Sequence, residues 1–166
     1  MLCIITQINF RSMDELENPK DPEFLRFWTA CREGDLEGVK EGFRSGVDIN
    51  KDDDRSCALS WAIVLDQKEV FNLLLEHPDI NINEVSQQNG CLLHVACIQN
   101  KPWAVSVLTK DRRLTTLNHK DCGGDTPLMA AVFQGHVEVV EEMLKIEEVN
   151  LDIKDNTGKS IFTLAR

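Results

Sequence analysis

The side chains best placed to do chemistry lie in the segment Cys91-Leu92-Leu93-His94-Val95-Ala96-Cys97. On a helix, residues three or four apart share a face, so Cys91 and His94 would have the spacing of a thiol nucleophile and its base. The same residues with Cys97 would give zinc three ligands, but no fourth stands at a plausible spacing. Asp52-Asp53-Asp54, with Asp48 nearby, suggests a cation, yet no glycine-centred calcium loop follows. Cys122-Gly123-Gly124-Asp125 is a glycine turn without the Lys-Ser/Thr that a phosphate-cradling loop requires. Each has a structural reading that fits better: a small buried thiol, a solvated hairpin tip and a tight turn. The chain is therefore expected to be no enzyme and to use no cofactor and no metal.

The elements that must position these residues are constrained by composition. With 166 residues, 42% hydrophobic and 28% charged, the chain can bury a sizeable core, and one compact unit is expected. Its net charge of −10 (18 basic against 28 acidic residues) works against nucleic acid and against an anionic membrane surface. The charge is uneven: residues 1–56 and 121–166 each sum to −5, while residues 57–120 are neutral. No apolar stretch approaches the roughly 20 residues of a bilayer span. The apolar start, Met1 to Phe10, lacks the basic flank and cleavage site of a secretory signal. Six cysteines without a CxxC pair are too sparse for a disulfide scaffold, which points to cytoplasm, nucleus or both.

Self-similarity decides the architecture. With Thr126 as marker, Cys91 and Cys57 occupy the same place upstream and Ser160 downstream, at steps of 35, 34 and 34 residues. Small-residue pairs recur after it (Ala62-Ile63, Ala96-Cys97, Ala131-Val132), and apolar stripes follow (Val70, Leu73, Leu74; Val105, Val107, Leu108; Val139, Val140, Met143). Each unit reads as two short helices, a turn between them and a loop after. Thr126 can cap the first helix with Pro127 in its first turn, Gly135-His136 breaks it, and a second amphipathic helix is predicted from about Val137 to Ile146.

Asp121 to Val140, with Gly124, Thr126-Pro127-Leu128 and Gly135-His136, resembles the ankyrin-repeat family closely; Leu93-His94-Val95-Ala96 and the loops Gly46–Asn50 and His77–Asn83 resemble it more loosely. The likeness runs from about Asp21 to Arg166. It implies an all-α solenoid of helix-turn-helix units with hairpin-like loops, about four repeats plus a partial fifth over 21–166, preceded by a leader over 1–20 that is predicted to be flexible. The N-terminal unit, which starts at Asp21-Pro22 and carries Phe24, Phe27, Trp28 and Cys31 at helical spacing, reads as a capping repeat. Ending inside a helix pair, the chain is expected to be a fragment of a longer protein or to carry a shortened cap, with Ile161, Phe162 and Leu164 partly exposed.

The resemblance implies a protein partner bound on a concave face of loop tips and first helices. Carried onto this sequence, the partner-binding positions are Val64, Leu65, Ile98, Gln99, Phe133 and Gln134 on helices and Asp53, Asp54, Gln87, Gln88 and Asp125 at tips. Val64, Ile98 and Phe133 would make an apolar strip, which marks an interaction site where it is contiguous and exposed. Trp61 and Trp28 fall at core positions, Trp103 on the convex side. Cys91 replaces a capping threonine, and His94 and His136 would bond loop backbone. Asn50, Asn83 and Asn118 match asparagines that an oxygen-sensing dioxygenase hydroxylates in family members, with Asp152 in the next copy. The expected function is a non-enzymatic adaptor, monomeric, with no nucleic acid or membrane partner. The alternatives are a regulatory or targeting portion of a larger enzyme or channel, and a direct enzyme inhibitor.

Overall fold

The computed structural model describes residues 22–51, 57–86 and 90–164, excepting the side chain of Leu164. The predicted leader lies outside them. Two compact units result, 22–81 and 82–164, where the composition predicts one. In a repeat array each repeat touches only its neighbours, so a single central core is not required.

In residues 22–81, α1 (Pro22–Glu33) pairs with α2 (Leu36–Ser45), and α3 (Ala58–Val64) pairs with α4 (Lys68–Glu76). The first helices, α1 and α3, pack on each other, as do the second helices, α2 and α4. Asp35 starts α2 by accepting bonds from the backbone N–H groups of Glu37 and Gly38 at 3.2 and 3.1 Å, satisfying donors that a helix start leaves unpaired. The core is built from Phe27, Cys31, Val39, Leu59, Ile63, Phe71 and Leu74. Trp28 and Trp61 are buried as expected and meet edge-to-face at 6.1 Å, because they hold equivalent places in consecutive repeats.

In residues 82–164, β1 (Val85–Ser86) pairs antiparallel with β2 (Gly90–Cys91), which runs straight into α5 (Leu92–Ile98). Then follow α6 (Pro102–Lys110), α7 (Pro127–Gln134), α8 (Val137–Leu144) and the short α9 (Ile161–Leu164). Helix α7 packs between α5 and α9, and α6 against α8. The cap of α7 is the predicted one: Thr126 Oγ1 accepts from Met129 N–H at 3.3 Å, with Pro127 first in the helix. Buried alanines on the first helices, Ala96 and Ala131 among them, leave room for these close packings.

The structure corrects one boundary and one exposure. Helix α8 ends at Leu144, where Lys145 serves as its cap, rather than at Ile146. Ile161 is buried against the stack, whereas Phe162 is 62% exposed as expected. The turn between paired helices also carries a signal that the repeat alignment passes over. At that place each repeat is left-handed: Gly34 (φ 79°), Asp66 (φ 59°), Asn100 (φ 52°) and Gly135 (φ 74°). Only glycine enters this region freely, with Asn and Asp next, and those are the residue types present.

Candidate functional site

Cys91 and His94 do come together, though not as a catalytic pair. The Cys91 backbone N–H donates to His94 Nδ1 at 3.3 Å, and the thiol sulfur lies 3.1 Å from the same nitrogen. With Nδ1 accepting, the ring proton sits on Nε2, which donates to the Asp125 carbonyl oxygen at 2.9 Å. The Cys91 thiol is directed at the Thr116 carbonyl oxygen, 3.6 Å away. Both side chains are fully buried. Burial pushes the Cys91 thiol up and holds His94 below its ordinary value, so thiol and imidazole are both neutral. A nucleophile needs the opposite: a thiolate with access to substrate. The pair instead ties the start of α5 to the loops at Thr116 and Asp125.

Cys97 is raised by burial, with Cys91 adding to the effect, and Cys31 is pushed up to about 12 by burial. Cys31, Cys91 and Cys97 are free thiols, and Cys57 is buried like them. Iodoacetamide should therefore leave Cys31, Cys91 and Cys97 unmodified in the native chain and label them only in denaturant, as peptide mass mapping would show; rapid native labelling of Cys91 would restore the nucleophile reading. Among the described residues, no three His, Cys, Asp or Glu side chains converge as a metal site requires.

The asparagines form a repeated clamp. Asn50 Nδ2 donates to the Asp79 carbonyl oxygen at 2.7 Å while its Oδ1 accepts from Asn81 N–H at 2.8 Å. Asn83 does the same with Arg113 and Thr115, both at 2.7 Å, and Asn118 with Glu148 and Asn150 at 2.8 and 2.9 Å. Each amide thus bonds both a donor and an acceptor on the following loop, a match no other residue of this length makes except in a single protonation state. His136 Nε2 meets the Ile98 carbonyl oxygen at 3.0 Å, and so bonds backbone as expected.

The partner-binding positions are unequal. Phe133 stands 57% exposed at the end of α7, with Gln134 half-buried beside it. Ile98 and Gln99 at the end of α5 are half-buried, as is Val64 on α3, while Leu65 is 36% exposed. Of the apolar positions, Phe133 and Leu65 are exposed, whereas Val64 and Ile98 are half-buried. Asp125 is half-buried; its carboxyl is raised first by burial and then by the Asp121 and Asp155 carboxylates. Asp53, Asp54, Gln87 and Gln88 lie outside the described residues. Sequence reasoning missed Val137, the first residue of α8 and 66% exposed. Its position in the chain signals this only as the first residue after a Gly-His break. Trp103 is half-buried at the start of α6.

No helix among the described residues is long and apolar enough to cross a membrane. A family model described as ankyrin repeats (3 copies) matches residues 27–118 and 93–165. Human inversin is 32% identical over 110 residues, 64% of this chain and 10% of inversin; mouse inversin is 31% identical over the same span. Mouse ankyrin repeat and SOCS box protein 11 is 34% identical over 107 residues, 63% of this chain and 31% of that protein. The chain thus spans about a tenth of the inversins and under a third of the other relative. With repeats of 34 or 35 residues, paired short helices, a Thr-Pro cap, left-handed turns and a model match over most of its length, this chain belongs to the ankyrin-repeat family.

Proposed function

We propose that this chain is a non-enzymatic adaptor that binds a protein partner on the face carried by the ends of its first helices. Ankyrin repeats are general protein–protein interaction modules, and the observation that carries the reading here is Phe133. A phenylalanine left 57% exposed forfeits much of the roughly 2 kcal/mol its burial would supply, and Val137 at the start of α8 is also uncovered. Large aromatic side chains in this state are the usual anchors of protein interfaces. Ile98, Gln99 and Gln134 are half-buried residues at matching helix ends, and Asp125 adds an acidic group on the loop before α7. Val64 and Leu65 offer a second apolar point on residues 22–81, and the tips at Asp53, Asp54, Gln87 and Gln88 are held as further contacts. The partner class is protein rather than nucleic acid or lipid, which the charge of −10 disfavours. We place the chain in the cytoplasm or nucleus as a monomer.

Hydroxylation of Asn50, Asn83 and Asn118 stays subordinate in this reading. Each amide is held on both sides by the next loop, so a dioxygenase would act on a loop that has first opened.

The test is Phe133→Asp. Quantitative mass spectrometry of proteins retained by wild type and variant should show at least one partner lost by about tenfold or more, the scale of removing an interface anchor. Helical content and unfolding midpoint should stay near wild type, because the side chain is outside the core. Unchanged retention would remove Phe133 from the interface, and loss of folding would make it core.

A further inference from the structure

Residues 22–81 carry a cation arrangement that their fold does not use. On α1, Phe24, Trp28 and Arg32 follow at single-turn spacing. The Phe24 and Trp28 rings meet at 5.9 Å, and Trp28 meets Trp61 of α3. The Arg32 guanidinium lies over the Trp61 ring at 5.7 Å from its centroid, and Lys51 Nζ lies over Phe24 at 4.5 Å. The aromatic row thus ends in a cation on each side. Among the described residues neither cation is within ion-pairing distance of a carboxylate, although acids outnumber bases 28 to 18 along the chain.

Two buried donors in this row lack acceptors: Trp28 Nε1–H and Arg32 Nε–H. Trp28 is 6% exposed. A buried donor without a partner costs on the order of 1–3 kcal/mol, so such groups call for a reason. Arg32 itself is half-buried, its backbone held where Gln67 Nε2 donates to its carbonyl oxygen at 3.3 Å. A guanidinium stacked on an aromatic ring is pre-oriented, and its outer Nη groups can donate to the oxygens of a carboxylate, while the buried Nε stays within the fold. Leu65, the C-cap of α3 four residues after Trp61 and 36% exposed, supplies an apolar group at the end of the same helix.

We propose that this face docks an acidic segment of a partner protein, with an Asp or Glu carboxylate seated on Arg32, an aliphatic side chain of the same segment against Leu65, and Lys51 as the second positive point. The inference rests on the chain being a protein-binding module, and it assigns a partner chemistry to residues other than Phe133.

The test is selection of random displayed peptides on the full chain, followed by affinity measurement of individual synthetic peptides. Wild type should enrich peptides with Asp or Glu beside an aliphatic residue. Their binding should weaken with added salt, shift tryptophan emission, and fall about tenfold or more in Arg32→Gln. Arg32→Met, which keeps an apolar stem on Trp61, should lose binding equally, so that packing is separated from charge. Phe133→Asp should leave these peptides bound. Acidic peptides that bind Arg32→Gln and Arg32→Met as tightly as wild type would overturn the assignment, as would enrichment confined to peptides lost in Phe133→Asp, which leaves the adaptor reading standing. Failure of the wild type to enrich any peptide on either face would count against both.

Discussion

Replacing His94 with leucine is expected to destabilise the chain by about 2–5 kcal/mol and to remove a pH dependence that the wild type has. Leucine fills much of the space but returns no polar atom. The Cys91 N–H and the Asp125 carbonyl oxygen, now bonded to the ring at 3.3 and 2.9 Å, are left buried and unpaired at roughly 1–3 kcal/mol each. The pH dependence follows from the direction of the shift. Burial depresses His94 below its ordinary value, outweighing the Asp125 carbonyl and the Asp121 carboxylate, which favour the charged ring. His119, edge-to-face with it at 6.3 Å, disfavours that charge. The native state therefore binds fewer protons than the unfolded chain. Stability is full above the unfolded value near 6.5 and is lost as pH falls below it, at up to about 1.4 kcal/mol per pH unit. Protonation would also turn Nδ1 from acceptor to donor, facing the Cys91 N–H. Asp125, raised in the native state, contributes stability that is present in acid and lost as pH rises through its native value, so it opposes this trend only at the lower end of the range. Urea titrations from neutral pH to about 5 should show a falling midpoint in wild type and a flat one in His94→Leu. A flat wild-type profile would refute the buried neutral imidazole.

What the sequence disclosed followed from which interactions are local. Thr126-Pro127 and Gly135 could be located from residue type alone, because a cap and a left-handed turn are decided within one helical turn. Asp66 and Asn100 hold the same turn in other repeats but escaped notice, since Asp and Asn are common in loops for several reasons and only alignment with Gly135 singles them out. The pairing of Val85–Ser86 with Gly90–Cys91 has no sequence signature, being two residues a side. The binding face was legible as positions and not as exposure. Phe133 and Ile98 occupy matching places, yet one is open and the other half-covered, which depends on the size of side chains in neighbouring repeats. That Arg32 lies over Trp61 without a carboxylate partner among the described residues depends on contacts between helices that sequence spacing does not specify.

Gly124→Ala is the second large effect, and its comparison with Gly135→Ala isolates how the loop tips are held. Both glycines are left-handed, at φ 83° and 74°, so alanine at either incurs a backbone penalty of about 1–2 kcal/mol. Around Gly135 nothing lies within 4 Å of an added Cβ, and the cost should stop there. At Gly124 the Cβ would meet the Asn156 side chain and, at 2.6 Å, its backbone nitrogen. That approach exists because Asn156 N–H donates to the Gly123 carbonyl oxygen and its Nδ2 to the Cys122 carbonyl oxygen, both at 3.1 Å. An added methyl must push the two loops apart, which adds overpacking of about 1–3 kcal/mol and weakens both bonds. Gly124→Ala should therefore cost at least about 2 kcal/mol more than Gly135→Ala in urea unfolding. Asn156→Gly should rescue little of it, since the backbone nitrogen remains in the way; full rescue would put the conflict in the side chain alone. Asp125 follows Gly124 directly and its carbonyl oxygen receives the His94 ring, so displacement of this loop should also loosen the start of α5. The pH-dependent step assigned to His94 should shrink in Gly124→Ala and persist in Gly135→Ala.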